Sequence, residues 1–585
     1  MSVAETAIRG GVWLMEDAAA DQVFTPERLT DEHRLMGQTT DQFVTNEVLP
    51  VLDRLEQKDW TLARALVKRC GELGLLGTDV PETLGGLGLD KASSIVIGEA
   101  VGRSASFAST FGAQSGLAMT PLLCFGTDEQ QQKYLPGLVS GDIVGAYALS
   151  ESGSGSDALG AKTRASRQED GSYRLSGEKM WITNGGFADL FIVFAKVDGE
   201  HFTTFLVERG FPGVSTGKEE HKLGLHGSST TPLILQDAAV PAANVLGEVG
   251  KGHKIAFNVL NYGRLKLAAM CSGGARAVIA EAARYASQRK QFGQSLDTFG
   301  AIRHKLAEMT IRQYAVESML YRTTGLLDGM LHGSHAGPSV LAALEELAIE
   351  ASILKVAASE MLDFVIDEDV QIHGGNGFVR DYPAERHYRD ARVNRIFEGT
   401  NEINRLLIPG MLARRAVKGS LPLIAAARKL QDDLLTPALP EPPGDGLLEN
   451  ERRAVAAMKK AALIVLGTAM QTYGTKLADE QEVLSLAADI IIDVYAAESA
   501  VLRAANQGAG SAQARHVDAA TALTSDAAAR VDVAARTALS ALSEGDMLRT
   551  LLAALRRVMK IAPVNTVALR RRISDAVVEK RGYPF

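Results

Sequence analysis

The spacing of apolar positions divides the chain into helical and strand-like regions. From Thr30 to about Ile143, apolar residues recur at intervals of three and four, which predicts amphipathic helices. Thr30 and Asp31 are candidate caps for the first helix. Residues 1–25 show no such period and are predicted to be irregular. The predicted helices are Thr30–Val51, Thr61–Leu73, Ala92–Val101 and Gln130–Leu138.

Short runs rich in β-branched and aromatic residues replace the helical spacing at Gly145. Turn signals such as Asp170-Gly171 and Asp198-Gly199 separate these runs. The pattern predicts a compact β domain, built as a sandwich or a barrel. The predicted strands are Val144–Leu149, Tyr173–Ser176, Leu190–Lys196, Phe202–Val207 and Leu233–Leu235.

Helical spacing returns near Lys254 and continues to about Lys418. Long runs over Leu265–Ser287, Ala301–Leu327 and Ser339–Ile366 predict a helix bundle. A Pro-rich stretch from 435 to 444 predicts a stiff linker, and an Ala-rich helical region follows it. The predicted division is an N-terminal helical domain at 1–144, a β domain at 145–250, a helix bundle at 251–418, a linker at 419–445 and a C-terminal helical extension at 446–585.

The extension repeats a short pattern of the bundle. Tyr314-Ala315-Val316-Glu317-Ser318 leads to Arg322, and Tyr495-Ala496-Ala497-Glu498-Ser499 leads to Arg503 at the same spacing. Ala-rich amphipathic helices match one another easily, so chance and duplication of a bundle both account for the pattern. Under duplication, the extension is a second bundle that covers the first, and the two bundles share one order of helices.

Composition and charge exclude several classes of function. The 585 residues suffice for three or four domains, and the 46% hydrophobic content supplies a large core. The net charge of -8 gives no basis for a nucleic-acid partner. The 3 cysteines are far apart, which fits a reducing compartment. The 11 histidines show no ligand spacing, so no metal is predicted.

The chain shows no sign of a leader or of a membrane span. Its N-terminus lacks a basic or Arg-rich amphipathic leader. No unbroken run of about eighteen apolar residues occurs. We therefore expect a cytoplasmic protein with at most peripheral membrane contact.

One candidate for acid–base chemistry is a carboxylate at the entry to a helix. Glu398 lies between Phe397 and Gly399, ahead of Thr400 and a helical run that begins at Asn401. An aromatic neighbour without an adjacent cation favours desolvation, which raises a carboxyl pKa and makes the carboxylate a stronger base. Thr400 is a candidate cap, and free amides in the first helical turn suit a phosphate. A solvated acid in a helix-entry loop is the commoner interpretation of these residues alone.

Two motifs lie at strand ends. The first is Tyr147-Ala148-Leu149-Ser150-Glu151-Ser152-Gly153-Ser154-Gly155-Ser156-Asp157, whose small residues let the backbone approach a flat ligand. An ordinary Ser/Gly turn has the same composition. The second is Lys179-Met180-Trp181-Ile182-Thr183-Asn184-Gly185, where Trp181 and Thr183 fall on one face of a strand. That face suits an aromatic ligand with a hydrogen-bonding edge, although an isolated Trp more often belongs to the core.

Three motifs lie near helix ends. Gln288-Arg289-Lys290-Gln291-Phe292-Gly293 offers a guanidinium, which binds diphosphates well, although such basic pairs are usually only solvated. Gln371-Ile372-His373-Gly374-Gly375-Asn376-Gly377 has paired glycines that permit close backbone approach. His373 fits a local capping residue equally well and receives no catalytic role. Asn261-Tyr262-Gly263-Arg264 opens a bundle helix.

The segment Phe397-Glu398-Gly399-Thr400-Asn401-Glu402-Ile403 resembles the active-site segment of the acyl-CoA dehydrogenases, and the other motifs follow in family order. The resemblance covers about residues 30 to 415, and the long extension resembles the very-long-chain branch. It implies a mostly α fold with a central β domain, an FAD cofactor, and α,β-dehydrogenation of acyl-CoA to trans-2-enoyl-CoA in fatty acid β-oxidation.

The resemblance also implies roles for individual residues. Glu398 is the implied base for the pro-R α-proton, while the flavin accepts hydride from the β-carbon. Some relatives place the base immediately before the Arg that matches Arg264; this chain has Gly263 there, which favours Glu398. The implied cofactor contacts are Tyr147, Leu149, Ser150, Ser156, Trp181, Ile182, Thr183, Arg289, Phe292, Gln371, Gly374, Gly375, Thr400 and Glu402. The implied substrate contacts are Ser156, Asn261, Arg264, Phe397 and Gly399.

Partners and chain length follow from the same resemblance. It implies an electron transfer flavoprotein as acceptor, and a homodimer or higher oligomer, because Arg289 and Gly374 would act on the neighbouring subunit's flavin. Small residues at Ser109, Gly112 and Gly116 predict either a deep pocket for long acyl chains or close helix packing. Two alternatives share the scaffold: an acyl-CoA oxidase that passes electrons to oxygen, and a catalytically idle acyl-CoA-binding protein.

Overall fold

The computed structural model describes residues 8–435 and 446–585. The predicted fold class is confirmed: helices precede and follow a central β sheet, and a further helical bundle ends the chain. One hydrophobic core joins most of the N-terminal helices to the sheet, and a second core joins the helices of both bundles. The Pro-rich part of the predicted linker, 436–445, lies outside the described residues.

The N-terminal helices are short, and the first of them has the predicted cap. Thr30 accepts a hydrogen bond from the His33 amide at 3.3 Å and begins the first helix. The helix predicted to reach Val51 instead ends at Phe43 and continues as a π-turn over Val44–Val48. Pro50 explains the interruption, because its ring clashes with a regular helix in the preceding turn. The helices are α1 Asp31–Phe43, α2 Leu52–Glu56, α3 Trp60–Glu72, α4 Lys91–Val101, α5 Ala105–Gly112, α6 Met119–Phe125 and α7 Asp128–Ser140.

The β domain is one mixed sheet of eight strands. All five predicted strands are present; three further strands of two to four residues were too short to predict. The strands are β1 Gly145–Ala148, β2 Arg164–Arg167, β3 Tyr173–Thr183, β4 Leu190–Val197, β5 His201–Glu208, β6 Val214–Thr216, β7 Thr230–Val240 and β8 Val245–Leu246. Their order is β6-β7-β3-β2-β4-β5-β8, and β1 pairs in parallel with β4.

Two helical bundles follow the sheet. A hairpin of β9 Lys290–Gln291 and β10 Gln294–Ser295 separates the first two helices. The first bundle contains α8 Gly252–Gln288, α9 Gly300–Leu331, α10 Gly337–Glu346, α11 Ala348–His373, α12 Ala384–Ala391 and α13 Asn401–Val417. The second part contains α14 Leu423–Leu435, α15 Glu449–Tyr473, α16 Gln481–Ala505, α17 Ser511–Leu542, α18 Gly545–Val558 and α19 Thr566–Lys580.

Two predictions about helices need correction. The single run Ser339–Ile366 is two helices that meet at Leu347. The break leaves the Leu344 carbonyl to accept a hydrogen bond from the Asn261 amide at 3.2 Å. The interval predicted as a linker contains helix α14.

Four helices of each bundle pack together in the same sequential order, as duplication requires. Helices α8, α9, α11 and α13 correspond in mutual packing to α15, α16, α17 and α19. The echoed residues meet across the interface: Arg322 lies 2.9 Å from Glu498, and Arg503 lies 2.7 Å from Glu317. Each arginine also lies over the tyrosine of the other copy. This reciprocity is what a local two-fold axis between two copies produces.

A second pair of contacts follows the same reciprocity. Arg405 on α13 contacts Asp489 on α16 at 2.8 Å, and Arg570 on α19 contacts Glu308 on α9 at 2.6 Å. Both α13 and α19 are capped by the residue before their first turn, Thr400 in one case and Asn565 in the other.

One helical stretch among the described residues, 449–479, is long and apolar enough to cross a membrane by length and composition alone. In the protein, 67% of its apolar window is buried. Its helix, α15, packs against α16 and α17. The burial is what a core helix of the bundle requires.

Candidate active site

Glu398 sits on a strained turn immediately before α13. Its φ is 59°, a conformation that non-glycine residues adopt at a cost, and Gly399 follows with a φ of 80°. Side chains of Asn404 and Arg264 hold the turn by hydrogen bonds to its carbonyl groups. The Asn404 amide donates to the Gly399 carbonyl at 2.8 Å and to the Thr400 carbonyl at 3.0 Å, and Arg264 Nε donates to the Glu398 carbonyl at 3.1 Å. The turn therefore fixes where the carboxylate points.

The Glu398 carboxylate is incompletely solvated. Its residue is half-buried overall, but Oε2 is buried and has no hydrogen-bond partner. Desolvation raises its pKa from 4.5 to about 7, against the opposing effect of Arg264 and Lys355. A Cβ on Gly263 would lie 2.8 Å from Oε2, so the glycine leaves room for the carboxylate. A carboxylate with these properties can accept a proton near neutral pH.

Glu398 lines a cavity with an empty volume of about 780 Å³, part of it open to solvent. The predicted small residues Ser109, Gly112, Ala113 and Gly116 line its wall. Their space is shared with side chains of α8: a Cβ on Gly112 would meet Met270 Cε at 3.1 Å, and one on Gly116 would meet Lys266 Cδ at 3.4 Å. Both predicted outcomes, a pocket and close packing, are thus present along one wall.

One of the predicted flavin-ring residues lies in the wall of this cavity. Thr183 lines the cavity together with Glu398. Trp181 is 55% exposed and Ile182 between them is buried, which fits the predicted shared face of Trp181 and Thr183. The strand is not regular there, because β3 and β7 shift register and Trp181 has a φ of 60°.

The loop after β1 lies beside the same strand. The Met180 amide donates to the Ser150 carbonyl at 2.9 Å, and Leu149 and Ser150 are both half-buried. Burial, with a contribution from the nearby Glu398 carboxylate, raises the pKa of Tyr147. Ser156 is exposed farther along the loop. Tyr147 and the loop are therefore on the Glu398 side of the sheet.

The remaining predicted cofactor residues lie on another face. Arg289, Gln371, Gly374 and Gly375 are exposed, and Phe292 is 93% exposed. Tyr285, on α8 ahead of the Arg289 motif, contacts the second motif: its hydroxyl donates to the His373 carbonyl at 3.2 Å and accepts from the Asn376 side-chain amide at 3.0 Å. None of these residues lines the Glu398 cavity.

The predicted residues around Arg264 support the turn rather than the cavity. Arg264 donates to the Asn261 side-chain oxygen at 3.0 Å as well as to the Glu398 carbonyl, and neither Asn261 nor Arg264 lines the cavity. Phe397 lines the cavity, Thr400 caps α13, and the Glu402 side chain is exposed.

Several cavity residues were missed by sequence reasoning. The Leu225 amide donates to the Asp390 carboxylate at 2.5 Å, and both residues line the cavity from separate elements. Lys355 lies at the middle of α11, and burial lowers its pKa to about 8. The turn-rich sequence before β7 could have indicated Leu225. Nothing in the sequence indicated Lys355, because it is a lysine inside a helical run. The missed lining residues include Leu225, Lys266, Met270, Leu362, Asp390 and Asn394.

An aromatic cofactor fits this arrangement. The exposed indole of Trp181, the Thr183 hydroxyl and the backbone at Leu149 and Ser150 form an open face beside an unpartnered buried carboxylate. Such a face can hold a flat ring with a hydrogen-bonding edge next to a group that removes a proton. The site thus defines an enzyme class in which one base works beside a bound redox cofactor.

Matches to known proteins identify the family. Models of the acyl-CoA dehydrogenase N-terminal, middle and C-terminal domains match residues 30–142, 146–238 and 250–412, and another acyl-CoA dehydrogenase C-terminal domain model matches 457–557. The chain belongs to the acyl-CoA dehydrogenase family, and FAD is its cofactor. The predicted family, fold, enzyme class and cofactor are confirmed.

Individual relatives match either nearly the whole chain or only part of it. A Bacillus subtilis (strain 168) protein described as "Probable acyl-CoA dehydrogenase" is 48% identical over 98% of both chains. The crystal structure of an acyl-CoA dehydrogenase complexed with FAD from Bacillus anthracis covers 99% of this chain and 100% of that one, with a TM-score of 0.97 at 47% identity. The very long-chain specific mitochondrial enzyme of Macaca fascicularis is 41% identical, but the match covers 61% of this chain and 53% of that protein.

Proposed function

We propose that the protein dehydrogenates long-chain acyl-CoA thioesters at the α,β position, with Glu398 as the base, in fatty acid β-oxidation. The observation that carries this proposal is the Glu398 carboxylate in the cavity wall: its Oε2 is buried without a hydrogen-bond partner, and desolvation raises its pKa to about 7. A base of that pKa is well matched to proton abstraction at neutral pH.

Several residues of the chain have separate roles in the removal of that proton. Glu398 Oε2 accepts the α-proton, and Arg264 fixes the turn through the Glu398 carbonyl. The backbone amide of Glu398 is the implied donor to the thioester carbonyl, where it would stabilise developing negative charge. FAD, when bound, supplies the hydride acceptor. Trp181, Thr183 and the Leu149-Ser150 loop would hold its ring.

The acyl-chain preference is proposed from the cavity wall. Small residues on α5 and the following π-turn, Ala113–Ala118, face α8 along the cavity. From Gly263 to Met270, α8 rises about 10 Å at ~1.5 Å per residue, so the lined wall extends well beyond the carboxylate. The small side chains along this wall support a long-chain substrate, and the C-terminal domain matched at 457–557 supports kinship with the very-long-chain branch.

The assembly is proposed to be a homodimer or a higher oligomer. The exposed face that carries Arg289, Phe292 and Gly374 offers diphosphate-binding and apolar groups away from the chain's own cavity. A second copy whose flavin reaches this face would use both groups. We propose an electron transfer flavoprotein as the acceptor and the cytoplasm as the location.

Anaerobic mixing with palmitoyl-CoA tests the function. The purified protein should be yellow and should bleach on mixing, with trans-2-enoyl-CoA as the product. Glu398→Gln should keep FAD and lose nearly all turnover, whereas the matched variant Glu129→Gln, at an exposed position in the first turn of α7, should bleach normally. A Glu398→Gln variant that turns over would remove Glu398 as the base. Rapid peroxide formation in air would replace the dehydrogenase with an oxidase.

A further inference from the structure

The helix that follows the base is anchored at its first residue. Helix α13 begins at Asn401, three positions after Glu398. The Asn401 side-chain oxygen accepts a hydrogen bond from Lys355 Nζ at 2.6 Å, and its amide donates to Glu360 Oε1 at 3.0 Å. Asn401 and Lys355 are both buried. Since the Glu398 turn is strained, its geometry depends on anchors such as these.

The anchor continues into the C-terminal bundle. Arg405 donates two hydrogen bonds to the Glu360 carboxylate, from Nη1 at 2.6 Å and from Nη2 at 2.9 Å. The remaining donor, Arg405 Nε, reaches Asp489 Oδ1 at 2.8 Å. Asp489 belongs to α16, so a continuous series of hydrogen bonds joins the second bundle to the start of the catalytic helix.

We propose that Asp489 is a positioning residue for the Glu398 carboxylate, acting through Arg405, Glu360 and Asn401. The bidentate grip fixes the guanidinium in a plane, and Asp489 fixes the orientation of that plane. The C-terminal bundle is therefore part of the support of the active site. The inference rests on the proposed role of Glu398 as base.

The duplicated bundle supplies an internal control. Arg570 on α19 contacts Asp526 on α17 and Glu308 on α9, as Arg405 contacts Glu360 and Asp489. Counting two residues back from the cap gives Glu398 before Thr400, but Pro563 before Asn565. The second bundle thus has the same arrangement of one arginine between two carboxylates, but no residue there corresponds to the base.

The experiment compares Asp489→Asn with Glu308→Gln in the FAD-loaded full chain. Steady-state rates are measured with palmitoyl-CoA and with its α-deuterated form. Asp489→Asn should lower kcat about tenfold, because small displacements of a base are costly, and should change KM by less than about twofold. Its deuterium isotope effect on kcat should rise, since proton abstraction becomes more rate-limiting. Glu308→Gln should match the unmodified protein in both quantities.

Two more variants sharpen the result. Asp489→Glu should recover most of the lost kcat, and Arg405→Lys should reproduce the loss because an ammonium cannot form the fork. Equal losses in Asp489→Asn and Glu308→Gln, or no change in either, would overturn the inference. If Glu398→Gln is inactive while Asp489→Asn is normal, only this inference fails. If Glu398→Gln turns over, the proposed function itself fails.

Discussion

The raised pKa of Glu398 predicts that the active carboxylate destabilises the fold as it ionises. The folded protein holds the proton up to about pH 7, whereas the unfolded chain releases it near 4.5. Between those values the native state binds more protons, so the free energy of unfolding falls as pH rises. At ~1.4 kcal/mol per pH unit, that interval corresponds to about 3 kcal/mol.

Glu398→Gln removes the titration and therefore the pH dependence. We expect the variant to gain about 3 kcal/mol relative to the unmodified protein between pH 4.5 and pH 7 or above. The glutamine amide adds a constant offset, so the test is the slope of the difference and not its absolute value. Urea unfolding, followed by circular dichroism in a fixed excess of FAD, measures both proteins across this range.

Glu129→Gln is the matched control because Glu129 is exposed and its own backbone amide lowers its pKa. The ionised form of this control residue stabilises the fold above its unfolded pKa. The pH-dependent difference in the free energy of unfolding between the variant and the unmodified protein should therefore have the opposite sign. If the difference in the free energy of unfolding between Glu398→Gln and the unmodified protein stays constant from pH 4.5 to 8, the carboxylate is not desolvated and unpartnered.

Further substitutions test the cavity and the assembly. Gly263→Ala places a Cβ 2.8 Å from Glu398 Oε2, so kcat should fall by about 10² with FAD retained; a normal kcat would contradict the close approach. Gly112→Leu extends toward Met270 and should shift the best substrate in an acyl-length series to shorter chains; an unchanged series would contradict the cavity wall. Arg289→Gln should weaken FAD retention. Mixed dimers of Arg289→Gln and Glu398→Gln subunits should regain activity if Arg289 serves the partner, and none if it serves its own chain.

Local patterns were sufficient to predict most of the architecture. The Thr30 cap, the onset of strands at Gly145 and the return of helices each depend on residues close together in sequence. The break at Leu347 could not be predicted this way, because it involves the Asn261 side chain from another helix.

The candidate site could be predicted from the sequence to about the same extent as the architecture. Phe397 and the neighbouring turn alone favoured a solvated acid, and Glu398 was identified as the base through the resemblance of its segment to the acyl-CoA dehydrogenases. The two cations that oppose the rise in its pKa, Arg264 and Lys355, come from α8 and α11 and are close to it only in the fold. Asp489 lies still farther along the chain, so no local pattern could associate it with the base.

The reciprocal ion pairs between the two bundles have a consequence for association. In an interface between separate subunits, such contacts form at a rate and to an extent that depend on protein concentration. Here both halves belong to one chain, so the effective concentration of each half around the other is fixed by the connecting segment. The contacts from Arg322 to Glu498 and from Arg503 to Glu317 should therefore persist at any dilution.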